Sequence, residues 1–261
     1  MPDEKISVLL VDDQRFIGAV VRNLLAGELD IELHCCHQAL EAMAQAEQIH
    51  PTIILQDLVL PDIDGLTLVR MFRENSSTAG AAIIVLSGND DGKTRALAIA
   101  GGATDYLVKL PTKKDLVACI RRHATASGAI ANTEAPAAAH QDVNQTLDRR
   151  PIAEFRSIGS SDFVRSVIDQ FIKEAEAQVG LLRDARQRLD TPLVKATAHS
   201  LKGSSMTMGA CRLALLCTEL EESAVLDQGH TIARDLVSEV DREFTKVRAA
   251  LAIERQEGLQ Q

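Results

Sequence analysis

TIILQDLVLPDIDG, residues 52–65, runs from a short apolar stretch into Asp57, then through a loop carrying Pro61 to an amphipathic segment that opens at Gly65. The apolar run has no polar face, so as a strand it needs cover on both sides. The same alternation recurs through the first half. ISVLLV (6–11), IELHCC (31–36), AIIVLS (82–87) and DYLVK (105–109) are similar short runs, and amphipathic segments lie near 15–26, 38–48, 65–74, 91–100 and 112–126. Five strands alternating with five helices predict an α/β domain, residues 1–126, built on a doubly wound parallel sheet.

From Ser127 to Asn144 the chain reads SGAIANTEAPAAAHQDVN, poor in large apolar residues and broken by Gly128 and Pro136, which predicts a linker. No strand pattern follows. SSDFVRSVIDQFIKEAEAQVGLLRDARQRLD places Phe163, Val167, Phe171, Ala175, Val179 and Leu182 three and four residues apart, the spacing of one helix face. Further helical segments lie near 192–207, 210–226 and 231–255, so residues 145–261 are expected to form an all-α antiparallel four-helix bundle with one short extra helix.

The net charge of −9 is shared evenly: 12 basic against 17 acidic residues up to 126, and 16 against 20 beyond. Neither half offers a phosphate-neutralising surface, and with no Trp and a single Tyr there is no stacking platform, so nucleic acid is not an expected partner. A helix-turn-helix forced onto 190–215 would be followed by Glu219, Glu221 and Glu222. The start MPDEKISVLLVDD is acidic and its apolar run short, which predicts a cytoplasmic protein without membrane insertion. Five cysteines without a C-x-x-C pair are expected as buried reduced thiols. Six of the seven histidines (34, 37, 50, 123, 140 and 230) lack ligand spacing and are expected as ordinary surface or partly buried residues.

Strand ends carry the chemistry. Asp12 and Asp13 follow the first strand, Asp57 ends the third, Ser87 the fourth and Lys109 the fifth, so all five face the rim where open parallel sheets bind ligands. Three gathered carboxylates need a hard cation, and oxygen donors at this density suit Mg²⁺. Lys109 beside it would receive an anion, for which a phosphoryl group is the best candidate; Ser87 can donate to it and Gly88 leaves room.

VDDQ (11–14), DLVLPDIDG (57–65), LSG (86–88) and YLVK (106–109) together resemble the receiver domain of two-component response regulators, over residues 5–124. The resemblance implies a flavodoxin-like fold, phosphorylation of Asp57, and Mg²⁺ held by Asp13, Asp57 and the backbone carbonyl of Val59 with help from Asp12. It also implies that Ser87 and Tyr106 change conformation on phosphorylation. One departure is Leu110, between Lys109 and Pro111, where the family sets proline directly after its lysine. A cis Lys–Leu bond would cost about 2.5–4 kcal/mol, so a trans and differently shaped loop is expected.

AHSLKGSSMTMG, residues 198–209, places Gly203 inside a helix at a cost of about 1 kcal/mol relative to Ala. At helical spacing Leu193, Val194, Thr197, Ala198, Leu201 and Ser205 share a small or apolar face, whereas His199 lies on the other side with Lys195, Lys202 and Gly203. The glycine would clear space for a bulky group, and the lysines would attract an anionic one. An exposed histidine on a helix whose glycine merely allows close packing reads as well from spacing alone. HSLKGSSMTMG resembles the histidine-containing phosphotransfer domain, a helical bundle with one phosphorylatable histidine, over about 145–255. That implies His199 as phosphoacceptor, flanked by Lys202 and Gly203.

Both resemblances imply a phosphorelay protein. A sensor histidine kinase would load Asp57, and His199 would exchange phosphoryl with a receiver aspartate, its own or that of a downstream response regulator. No Gly-rich phosphate loop or kinase box accompanies His199, so it is expected to be a carrier that does not use ATP. The alternative is a binding module, switched by phosphorylation of Asp57, whose bundle sequesters a partner without transfer.

Overall fold

The structure, a computed structural model, describes residues 5–88, 92–109, 111–125, 145–225 and 230–257. The expected linker at 127–144 and the departure at Leu110 lie outside the described residues. The chain divides into two compact units, one within 1–138 and one within 139–261.

In the first unit five strands alternate with five helices: β1 Ile6–Val11, α1 Arg15–Leu24, β2 Ile31–Cys36, α2 Ala39–Ile49, β3 Ile53–Asp57, α3 Gly65–Glu74, β4 Ala82–Ser87, α4 Gly92–Ala100, β5 Asp105–Val108 and α5 Lys113–Thr125. The strands form one parallel sheet in the order β2-β1-β3-β4-β5. β3 is buried along its whole length and β1 from Val8 to Val11, because helices cover both faces. Phe16 and Ile17 of α1 and Leu68 and Phe72 of α3 supply large buried side chains to that cover. The strand order turns at β1 and β3, which opens a crevice above their carboxyl ends.

The loop that leaves β3 shows why DIDG stands where it does. The Asp64 carboxylate accepts from the Thr67 amide at 2.9 Å and caps α3. Gly65 comes next because a Cβ there would lie 2.5 Å from both Cα and O of Leu58. The chain thus doubles back on the residue after Asp57, and only glycine fits.

The second unit holds α6 Arg150–Ile158, α7 Ser161–Gln187, α8 Thr191–Met208, α9 Cys211–Val225 and α10 His230–Glu257. α7 packs on α8, α8 on α9, α9 on α10 and α10 on α7, a closed four-helix bundle with α6 against α7 and α8. The Ser160 and Asp190 side chains cap α7 and α8 by accepting from the amides of Phe163 and Leu193. On α7 the expected stripe is buried from Val167 to Leu182, but Phe163 is only half-buried and Val164 takes the inward place. Phe163 instead covers the preceding turn, where a Cβ on Gly159 would overlap its ring at 2.1 Å.

α8 ends at Gly209 with φ 81°, the left-handed stop that glycine adopts readily. Its backbone also meets the segment before α6: the Asp148 amide donates to the Gly209 carbonyl at 2.7 Å, and a Cβ on Gly209 would stand 2.3 Å from Asp148 O. Among the described residues no helix is long and apolar enough to cross a membrane. Of the cysteines, Cys36, Cys119, Cys211 and Cys217 are buried, Cys35 is half-buried, and all five are unbridged.

Candidate functional site

The crevice over β1 and β3 gathers the expected acids. One carboxylate oxygen from each of Asp12, Asp13 and Asp57 lies within 4.8 Å of the others. Asp12 and Asp57 are 1% and 2% exposed. Into this cluster reaches Lys109, whose Nζ stands 2.7 Å from Asp12 Oδ2 and 2.7 Å from Asp57 Oδ2. Its backbone fixes the origin of that reach, since the Lys109 amide donates to the Ser87 carbonyl at 2.7 Å and continues the β4–β5 pairing one residue past the strand. The lysine therefore reaches both acids although Leu110 follows it.

Burial pushes the Asp12 carboxyl up to about 7; the Lys109 ammonium opposes this, and the charges of Asp57 and Asp13 add to it. Burial would lower Lys109, but the Asp12 and Asp57 carboxylates hold it above its ordinary range. The three clustered carboxylates, with Lys109 against two of them, make an oxygen-lined pocket whose donor set fits Mg²⁺.

Around the acids the other expected residues take their places. The Val59 amide donates to Asp57 Oδ1 at 3.1 Å, which sets this residue beside the carboxylate. Ser87 ends β4, largely buried, next to Gly88, where a Cβ would meet nothing within 4 Å and the flank is open. Tyr106 is 4% exposed, packed inward with Arg95 over its ring at 5.9 Å.

Two supports were not read from the sequence. Gln56 is fully buried one residue before Asp57, and its Nε2 donates to the Gly65 carbonyl at 2.6 Å, tying both ends of the β3–α3 loop together. His37, expected as an ordinary residue, holds the Asp12 carbonyl through Nδ1 at 2.9 Å.

In the second unit His199 is on the outer side of α8, its side chain 42% exposed. Lys202 Nζ lies 3.4 Å from Nδ1, and Gly203 follows half-buried within the helix. A carboxylate that the sequence reading did not include joins the expected ammonium groups. Lys195 is exposed, and the nearer partner of Nδ1 is Glu221 Oε1 of α9 at 3.0 Å. Glu221 Oε2 also holds Lys202 Nζ at 2.9 Å, so lysine and glutamate largely offset one another. Burial works against ionisation of Glu221, yet its contacts with His199 and Lys202 keep its carboxyl below the ordinary range.

Glu221 was present in the sequence only as one of several acids on a later helix. No spacing links it to His199 until the short α8–α9 connection brings the two helices side by side. Underneath, the Gln178 amide of α7 donates to the Ser200 hydroxyl at 2.8 Å and steadies the inner side of the same turn.

Known proteins match slightly less than half of this chain, and family descriptions match both units. The transcriptional regulatory protein TrcR of Mycobacterium tuberculosis is 34% identical over 117 residues, 44% of this chain and 44% of that protein. Protein PilG of Pseudomonas aeruginosa is 26% identical over 118 residues, 45% of this chain and 87% of its own length. The chain spans about half the length or less of the first curated relatives it matches. Among solved structures, a response regulator from Desulfuromonas acetoxidans is 29% identical with a TM-score of 0.41, covering 44% of this chain and 94% of that one. The BeF3-activated N-terminal receiver domain of Klebsiella pneumoniae RstA is 26% identical with a TM-score of 0.43, covering 46% and 99%. The family description "response regulator receiver domain" matches residues 8–121, and "Hpt domain" matches residues 166–250. The chain therefore carries a receiver domain followed by an Hpt domain, the pairing of two-component phosphorelay signalling.

Proposed function

We propose that Asp57 accepts a phosphoryl group from a phosphohistidine of a sensor kinase, and that His199 exchanges phosphoryl with a receiver aspartate, its own Asp57 or that of a downstream regulator. The observation that carries this reading is the buried Asp57 carboxylate, held 2.7 Å from Lys109 Nζ beside two further acids under an open flank at Gly88.

In the loading step Asp57 attacks phosphorus, the O–P bond forms as the N–P bond breaks, and the departing imidazole keeps the electron pair and takes up a proton. Lys109 is placed to pair with an oxygen of the incoming group, and the Ser87 hydroxyl to donate to another. Asp12, Asp13, Asp57 and the Val59 carbonyl would hold Mg²⁺. Bound there, the ion supplies positive charge for the equatorial oxygens, so positioning and electrostatics do most of the work.

At His199 the Glu221 carboxylate faces Nδ1 and is closer than the Lys202 ammonium, 3.0 Å against 3.4 Å. This favours a proton on Nδ1 and leaves the lone pair on Nε2 as the nucleophile. Lys202 remains beside the ring to meet a phosphoryl oxygen.

The test is phosphoryl loading of the full chain with Mg²⁺ and a phosphohistidine donor, followed by separation of base-labile acyl phosphate from acid-labile phosphohistidine. Asp57→Asn should lose the first and His199→Gln the second. Mass spectrometry that finds the added group on neither residue would refute the proposal.

A further inference from the structure

Asp105 opens β5, at the opposite end of that strand from Lys109, and is buried. Its Oδ1 accepts from the Tyr106 amide at 2.8 Å. Around Oδ2 stand three groups of α5: Arg122 Nη2 at 2.5 Å, His123 Nε2 at 2.9 Å and Cys119 Sγ at 3.6 Å. Cys119 and His123 are four residues apart on one helix, so they project from the same face toward the strand. One oxygen, one sulfur and one nitrogen thus lie within 4.8 Å of one another, all three residues buried.

Bonds of about 2.0 Å to oxygen and nitrogen and about 2.3 Å to sulfur around tetrahedral zinc set ligand atoms about 3.3–3.6 Å apart. The two measured edges, 2.9 Å from oxygen to nitrogen and 3.6 Å from oxygen to sulfur, need changes of only a few tenths of an ångström. We propose that Asp105, Cys119 and His123 form a binding site for a zinc-type divalent ion, with water as the fourth ligand. A sulfur and an imidazole exclude the preferences of Mg²⁺ and separate this site from the acidic crevice, with which it shares no residue.

Binding balances as follows. The Cys119 thiol releases its proton to solvent as sulfur bonds the ion. His123 gives up to solvent the Nε2 proton that now faces Asp105 Oδ2 and keeps one on Nδ1, so that Nε2 bonds the ion, and Asp105 gives Oδ2. Arg122 is the competitor, since its guanidinium now neutralises Asp105. Its side chain is 36% exposed, so it can turn into water once the ion supplies that charge. An ion here would join β5 to α5 one residue from Tyr106.

Cobalt(II) is the probe, added to the full chain with Mg²⁺ in excess to fill the crevice. One equivalent should give a near-ultraviolet thiolate-to-cobalt band that zinc displaces. Cys119→Ser should abolish the band, and His123→Ala should weaken binding about tenfold or more. Cys217→Ser, which removes the buried cysteine four residues before Glu221, should leave it intact. Arg122→Gln should tighten binding about threefold by removing the competing cation, a response a purely structural hydrogen-bonded cluster would not give. A wild-type chain without the band at saturating cobalt, or a band that survives Cys119→Ser, overturns the proposal.

Discussion

Glu221 Oε1 stands 3.0 Å from His199 Nδ1, reaching from α9 to the ring on α8. The same carboxylate holds Lys202, so three residues on two helices form one charged unit.

Glu221→Gln keeps the shape and removes the charge. Removing a charge that faces the reacting ring at 3.0 Å is expected to cost about 1.4 kcal/mol in the transition state, which slows phosphoryl exchange at His199 about tenfold. Rapid-quench kinetics should show that drop, and ¹⁵N spectra of the ring should show less of the Nδ1-protonated form. An unchanged rate would count against a positioning role for Glu221.

The same carboxylate gives a pH signature. Its contacts hold Glu221 below its ordinary value of 4.5 in the folded protein. The folded state therefore surrenders this proton more readily than the unfolded one. The stability gained is complete above about pH 4.5 and disappears as pH falls through the folded value. Urea unfolding of wild type and Glu221→Gln should show a gap at pH 6 that closes toward pH 3.

Lys109→Met leaves Asp12, Asp13 and Asp57 together without their ammonium. Removing one partner of a buried ion pair costs about 3–5 kcal/mol. The variant's first domain should unfold earlier without divalent ions, and Mg²⁺ should stabilise it more than it stabilises wild type. Calorimetry with and without Mg²⁺ measures both, and equal responses in the two proteins would contradict this account of the crevice.

Gly65→Ala forces a methyl group to 2.5 Å from the Leu58 backbone. Since backbone cannot yield as a side chain can, a loss of about 2 kcal/mol is expected, together with poorer loading of Asp57. Gly88→Ala is the control: its methyl meets nothing within 4 Å, so stability should change by less than about 0.5 kcal/mol.

The sheet was legible because its central strands are apolar on both faces and β1, β3, β4 and β5 end on or run directly into a polar residue at one rim. Ile6–Val11, Ile31–Cys36 and Ala82–Ser87 fall on the expected bounds. The acidic crevice was legible for the same reason, since strand ends in a parallel sheet share an edge. Gln56 was not, because one amide in an apolar run shows no sign of the carbonyl it holds nine residues on. Glu221 and the Asp105 cluster were hidden similarly: their partners lie 22 and 14 to 18 residues away, on neighbouring elements whose rotation and register follow from packing.

The last glycine of HSLKGSSMTMG has a different duty from the histidine at its head. Gly209 turns the chain out of α8 and lets the strand of backbone before α6 lie against that turn. A relative in which His199 is replaced would still need this glycine to keep its bundle closed. Under the proposed function the front of this stretch serves chemistry while its tail serves architecture, and a sequence that keeps only the tail would be a scaffold without a relay.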